Sequence, residues 1–132
     1  MVDRPALSKG EMNVARALWN IGPASVRQVH EAVIKTQKMD FATVQTYLRR
    51  LENKSYASSK LDGRMRIYSA RAKARTVIRE TVDDLVQRLF GGDSMPLMKH
   101  LIEDRGIEPD QIEELREMID RMEKVQSKKG KS

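Results

Sequence analysis

Residues 41–53 carry the pattern richest in chemistry. On a wheel turned about 100° per residue, Phe41, Val44, Leu48 and Leu51 share one side. Opposite them lie Ala42, Thr46, Arg49, Arg50 and Asn53, with Thr43 and Gln45 flanking. Short hydroxyls and an amide in the first turns of a helix suit hydrogen bonding to base edges, and arginines further along suit phosphates. Phosphate contacts orient and base contacts specify, so Thr43, Gln45 and Thr46 are expected to read sequence, and Arg49 and Arg50 to supply affinity. A solvated helix face has a similar composition, so the pattern alone leaves both readings open. Lys60, Arg64 and Arg66 flank a later turn where no core demands them. Such a basic tip can enter a minor groove or run along phosphates, or it can simply keep an edge strand from pairing.

Catalytic chemistry is poorly served. There is no cysteine, which excludes a disulfide framework, a thiolate metal site and a thiol nucleophile. His30-Glu31 lacks the second histidine that a zinc motif places four residues after the first, because position 34 is Ile34. His100 stands alone between Lys99 and Leu101. The acidic series Glu113, Glu114, Glu117, Asp120 and Glu123 follows a helix face and lacks the loop geometry of a calcium site. No enzyme activity, metal or cofactor is expected.

The elements that would position these residues are legible in turn. Ser8 and Glu11 have capping-box spacing, and Met12, Ala15, Leu18 and Trp19 follow as a helical stripe stopped by Gly22-Pro23. Ser25 and Gln28 repeat the capping pattern ahead of a second helix whose inner face is Val26, Val29, Val33 and Ile34. Lys35 to Lys38 reads as a loop, and Asp40 as the N-cap of the third helix. Tyr56–Leu61 and Arg64–Ala70 form strands of a hairpin turning at Asp62-Gly63. Three helices and then a hairpin is the order of a winged helix-turn-helix. From Arg71 the helical period returns with Ile78, Val82, Leu85, Val86 and Leu89, ended by Phe90-Gly91-Gly92. A short helix holding Leu97, Leu101 and Ile102, capped by Asp93 or Ser94, is expected next, with a break at Gly106. Pro109 then opens a last helix whose Ile112, Leu115, Ile119 and Met122 make a coiled-coil-like seam.

The expected fold is therefore mainly α with a small β-hairpin wing. It comprises a winged helix-turn-helix DNA-binding domain over 1–72, a helical dimerisation domain over 73–125, and a basic flexible tail over 126–132. Charge divides along the same line. The chain of 132 residues has a net charge of +6, and residues 1–70 alone, with 12 basic and 6 acidic residues, account for all of it. Residues 71–125 stand at −3, with 10 basic and 13 acidic residues. A basic half beside a mildly acidic half suits a polyanion on one side and protein on the other. Fifty-odd residues with few aromatics rarely bury enough surface alone, so Ile78, Val82, Leu85 and Leu89, with Ile112, Leu115, Ile119 and Met122, are expected to pair with a second copy. A two-fold homodimer would place two recognition helices on a palindromic double-stranded operator. No apolar run long enough for membrane insertion is seen, nor the apolar stretch of a signal peptide, so a cytoplasmic location is expected.

Several strings also resemble the penicillinase-repressor (BlaI/MecI) family. Leu18-Trp19 with Gly22-Pro23-Ala24-Ser25-Val26-Arg27-Gln28-Val29 resembles its first helix end and second helix start. Ala42-Thr43-Val44-Gln45-Thr46-Tyr47-Leu48-Arg49-Arg50-Leu51 resembles its recognition helix. Lys54-Ser55-Tyr56 and Tyr68-Ser69 match the start and end of its wing, and Ile112-Glu113-Glu114-Leu115 its closing dimerisation helix, so the likeness spans roughly residues 7 to 122. The resemblance implies a dimeric winged-helix repressor, with β-lactam-resistance or related genes under its control. It also implies inactivation by a protease linked to a membrane sensor. The family commonly has Thr at the place of Ala42 and Lys at that of Gln45, so a different operator is expected. Cleaved members carry Asn-Phe where His100-Leu101 aligns, which argues against cutting by a similar sensor. The copper-responsive branch ends in a cysteine cluster that this chain lacks.

Two other readings compete. A winged helix used for protein contact would need an apolar outer face, for which Tyr47 and Met65 are the candidates among surrounding arginines. A ligand-sensing regulator could use Met95, Met98, Met118 and Met122 to line a pocket, although methionine more often fills irregular gaps in a core.

Overall fold

The computed structural model describes residues 4–130. Helix α1 (Lys9–Ile21) begins at a complete capping box, with the Ser8 hydroxyl accepting from the Glu11 amide and the Glu11 carboxylate accepting from the Ser8 amide. It ends at Gly22, whose φ of +81° is open to glycine at no steric cost. Ser25 then serves twice. With Ala24 it forms the two-residue strand β1, and its side chain caps α2 (Val26–Val33) through a second capping box with Gln28. The expected strands did not include β1, because two residues carry no periodicity.

Helix α3 (Phe41–Asn53) follows a loop held by two side-chain contacts. His30 Nε2 donates to the Met39 carbonyl at 2.9 Å, and Asn13 Nδ2 donates to Gln37 Oε1 at 2.9 Å. Asp40 occupies the N-cap position, but its carboxylate makes no capping bond. The helix ends in a Schellman arrangement: the Tyr56 amide reaches the Leu51 carbonyl and the Ser55 amide the Glu52 carbonyl. Ser55 adopts φ +71° there, and Arg4 Nε donates to its carbonyl.

Strands β2 (Ala57–Asp62) and β3 (Met65–Ala70) form the hairpin, and the antiparallel sheet order is β1-β3-β2. Asp62 pairs with Met65, so the turn is Gly63-Arg64, one residue beyond the expected Asp62-Gly63. Gly63 takes φ +66° at the first turn position, the arrangement of a type II′ hairpin; Asp62 is therefore freed to extend the ladder.

The core joins α1, α2, α3, the sheet and the start of α4 (Ala74–Phe90) through Val14, Leu18, Val29, Val33, Val44, Leu48, Leu51, Tyr68 and Val77. Several expected core positions differ. In α1 the buried residues are Glu11, Val14, Ala15, Ala17 and Leu18, while Met12 and Trp19 are half-buried. Ile34 is 50% exposed because α2 stops one residue before it. Phe41 is 45% exposed because the first helical side chain leans back past the helix end; it meets His30 edge-on at 5.7 Å instead.

Contacts divide the chain into two compact units between Val82 and Asp83, inside α4. The first unit holds the start of α4 through Val77, the Trp19 Nε1 bond to the Ala72 carbonyl and the Arg4–Glu80 ion pair. The second unit contains α5 (Met95–Lys99), a π-helical turn over His100–Asp104 and α6 (Pro109–Gly130). Asp93 Oδ1 accepts from the Met95 amide ahead of α5, and Ser94 makes no side-chain cap. The helical period of α6 carries on past Gln126 to Gly130, where the sequence suggested a frayed tail.

The Glu11 carboxylate is 1% exposed and accepts from Lys54 Nζ at 2.7 Å, and Lys54 also donates to the Ala6 carbonyl. Burial alone would raise the Glu11 pKa. The bonds from Lys54 and Ser8, with the Lys54 charge, outweigh burial and hold it below the ordinary value of 4.5. Lys54→Met strands a buried carboxylate, and urea unfolding should show a loss of about 3 kcal/mol. Because the folded pKa is the lower one, this stabilisation is complete above about pH 4.5 and is lost as pH falls through the folded value. The acid limb of the stability profile should accordingly flatten in Glu11→Gln.

A Cβ on Gly10 would lie 2.6 Å from the Tyr47 ring, so α1 approaches α3 there only without a side chain. Gly10→Ala is expected to destabilise by about 1 kcal/mol, with overpacking exceeding the gain in helix propensity. In a Tyr47→Leu background the clash is gone and the same change should stabilise; a cost unchanged between backgrounds would remove the contact from the account.

Candidate nucleic-acid interface

Helix α3 is pinned at three places, and the pins decide which face is free. Val44, Leu48 and Leu51 are buried, Lys54 is tied to Glu11, and Tyr47 lies over Gly10. The remaining surface contains Ala42, Thr46, Arg49, Arg50 and Asn53, all exposed, with Thr43 and Gln45 half-buried at its margins. This matches the outward side of the wheel.

The side chains along this face are partly preset. Thr46 Oγ1 donates to the Ala42 carbonyl at 3.0 Å, which commits its one proton. What it offers outward is an acceptor oxygen and a methyl group, a match for a cytosine or adenine amino group or a thymine methyl. The Arg50 guanidinium lies 5.7 Å from the centroid of the Tyr47 ring. Cation–π attraction there restricts a long side chain while leaving its N–H groups free for an anion. Tyr47, a candidate for protein contact in the sequence, instead supports Arg50 and packs on α1.

The wing residues do not share one face. Residues directly opposite in a hairpin share a face, and successive pairs alternate. Ser59 pairs with Tyr68 and Leu61 with Arg66, and Tyr68 is buried, so these two pairs face the domain. Lys60 pairs with Ile67 and Asp62 with Met65 on the other face, while Arg64 sits in the turn. Arg66 is thus on the α3 side of the hairpin and Lys60 on the far side. Arg66 Nη1 donates to Ser59 Oγ at 2.9 Å, and Ser59 Oγ donates to Glu52 Oε2, from α3, at 2.6 Å. Neither Ser59 nor Glu52 stood out in the sequence, because a bond between a strand and a helix has no spacing signature. Burial raises the Tyr68 phenol pKa beside this chain; the Glu52 charge adds to the rise, and Arg66 and Arg49 oppose it.

The expected pairing residues of α4 and α6 stay uncovered. Ile78, Val82, Leu85, Leu89, Ile112, Ile119 and Met122 are exposed and Leu115 is half-buried. Among the described residues, none from 83 to 127 is buried within the single chain. His100 opens the π-helical turn, with Nδ1 2.9 Å from Asp104 Oδ2, and Leu101 beside it is exposed. No cluster of three or more His, Asp or Glu side chains that could hold a metal occurs among the described residues, and none of their helices is long and apolar enough to cross a membrane.

Comparison with known proteins agrees with this arrangement. The penicillinase repressor family model matches residues 7–121. A penicillinase repressor from Staphylococcus aureus is 22% identical over 118 residues, covering 89% of this chain and 94% of that protein. The methicillin resistance regulatory protein MecI of Staphylococcus aureus strain N315 is 22% identical over 115 residues, covering 87% of this chain and 94% of that protein. The solution structure of the DNA-binding domain of the repressor BlaI superposes with a TM-score of 0.50 at 26% identity, over 56% of this chain and 90% of that one. The chain belongs to the penicillinase repressor family, and is a DNA-binding transcriptional repressor built on a winged helix.

Proposed function

We propose that this chain binds a palindromic operator as a homodimer and represses the adjacent promoter. In this reading Ala42, Thr43, Gln45 and Thr46 face base edges, and Arg49 and Arg50 lie on phosphates. Arg66 and Arg64 follow the backbone beside the wing, with Lys60 reaching it from the far face. The observation that carries the reading is the exposed face of α3, where short polar groups precede two arginines and no apolar patch competes. The relatives named as regulators of penicillinase and of methicillin resistance support control of β-lactam-resistance or related genes. In this reading the chain works in the cytoplasm, as expected of a regulator of this family. No catalytic chemistry is assigned.

Dimerisation is supported by the uncovered stripes. Ile78, Val82, Leu85 and Leu89 share one face of α4, distinct from the face that buries Val77. Ile112, Leu115, Ile119 and Met122 follow α6 at steps of three, four and three. Exposed apolar stripes on both helices are what a second copy would cover. If a sensor-linked protease acts on the chain, the bond His100–Leu101 lies in an exposed π-helical turn, a segment held by few tertiary contacts.

The competing readings have less support. Leu61 and Met65 are exposed on the wing, but they stand on opposite faces of the hairpin and make no common patch for a protein. The methionine-lined groove of about 400 Å³ is formed by Met118, Arg121, Met122, Val125 and Gln126, all from α6, and one helix cannot enclose a ligand.

Selection of bound duplexes from a randomised library at about 150 mM salt, where purely electrostatic binding is weak, should enrich an inverted repeat. Thr46→Ala should cost about 1–3 kcal/mol on that sequence and little on random duplex. A folded protein that enriches nothing would sink the operator reading and leave the protein-contact module in its place. Ile119→Lys buries a charge in the paired face. Sedimentation should then show a monomer, with operator affinity falling to that of a half-site; a dimer unaffected by the change would move the interface elsewhere.

A further inference from the structure

The Arg66 guanidinium does not project freely from the hairpin. It is the end of a hydrogen-bonded chain that starts on α3, runs through the Ser59 hydroxyl and crosses to β3. The polarity of this chain is fixed by proton count. A serine hydroxyl has one proton, and at 2.6 Å from the Glu52 carboxylate that proton is donated to Glu52. The Ser59 lone pairs therefore face Arg66 Nη1, which donates to them at 2.9 Å. Both bonds have an ionised partner, the stronger class of hydrogen bond. The guanidinium carries five N–H groups in a rigid fork, so one can be held by Ser59 while others remain for an external anion.

The placement is as informative as the bonds. Ser59 and Arg66 stand on the hairpin face toward the domain, diagonal to each other. Glu52 lies in the C-terminal half of α3, close to Arg49 in sequence, and Arg49, Arg66 and Glu52 all act on the Tyr68 ring. An acidic side chain so near a surface that meets phosphates is costly unless its charge is engaged. Here it is turned toward Ser59 and thereby orients a cation.

We propose that Glu52 and Ser59 are positioning residues for DNA backbone binding, holding the Arg66 guanidinium at a set distance from α3 so that wing and recognition helix meet the phosphates as one rigid unit. This rests on the DNA-binding reading above and deepens it. Arg66 is the contact; Glu52 and Ser59 act through it. Arg64, in the turn, has no such tether among the described side chains, so the two wing arginines are expected to differ.

The test uses the full chain and a random-sequence duplex of about 30 base pairs at about 50 mM salt, where backbone attraction is measurable without knowing an operator. Fluorescence anisotropy should show Arg66→Ala weakening binding by about three- to tenfold and reducing the salt slope by up to about one unit. Ser59→Ala should reproduce part of both effects, and Ser59→Thr, which keeps the hydroxyl, should restore them. In an Arg66→Ala background, Ser59→Ala should bring no further loss. Additive losses, or a Ser59→Ala protein that binds as the parent does while Arg66→Ala is impaired, would overturn the relay and leave DNA binding standing. An Arg66→Ala protein with unchanged affinity and slope would overturn it equally. A folded parent chain that binds no duplex would overturn the DNA-binding reading itself.

Discussion

The outer face of α3 is aimed by the ion pair at the far end of that helix. Lys54, at the C-cap of α3, donates to a carboxylate that is also half of the α1 capping box, and the same ammonium holds the Ala6 carbonyl. One buried oxygen, Glu11 Oε1, therefore fixes the start of α1, the end of α3 and the chain before α1. Removing a carboxylate from water is unfavourable by several kcal/mol, and only this convergence of donors makes the site tolerable. With the helix ends fixed, α1 and α3 approach closely at Gly10 and Tyr47, and the Tyr47 ring becomes a platform under Arg50. A group buried away from the outward face thus sets the position of one that lies on it.

The interface is built in the same indirect way. Thr46 is oriented by a backbone carbonyl, Arg50 by an aromatic ring and Arg66 by a hydroxyl bonded to an acid. Each of these three side chains has a neighbour that narrows its choices before any ligand arrives, whereas Arg49 and Arg64 have no such partner among the described side chains. Restricting them in the free protein lowers the entropy lost on binding, the general advantage of preorganisation. The second unit is organised differently: its helices present apolar stripes with nothing buried in the single chain among residues 83–127.

Much of the architecture was legible in the residues, for identifiable reasons. Both capping boxes, the Gly22 stop, the third helix and the hairpin follow from local rules acting over three or four residues, and each is found. The exposed set on α3 also follows from the helical period alone. What was missed depends on distant partners. The buried face of α1 runs through Glu11, Val14, Ala15 and Leu18, a regular helical stripe hidden because its first member is an acid. Only the position of Lys54, 43 residues on, makes that acid a core residue. The hairpin turn lies one residue later than expected because Asp62-Gly63 and Gly63-Arg64 are both acceptable turns; the move changes the cross-strand partners but leaves unchanged which residues share a face. Lys60 and Arg66 stand on opposite faces of the hairpin with either turn, and the Glu52–Ser59 bond had no local signal at all.

Ser25 has a consequence for how the protein can change over generations. It is at once the second residue of β1, paired with Ile67, and the N-cap of α2. Strand and helix therefore meet with no slack between them, and an added or deleted residue would break either the ladder or the cap. Loop length, the usual currency of divergence in small domains, is closed to evolution at this junction. The segment from Ile34 to Asp40 is under no such double obligation. Insertions that alter how α2 and α3 address a target are expected to accumulate there among relatives, while the β1–α2 junction keeps its length.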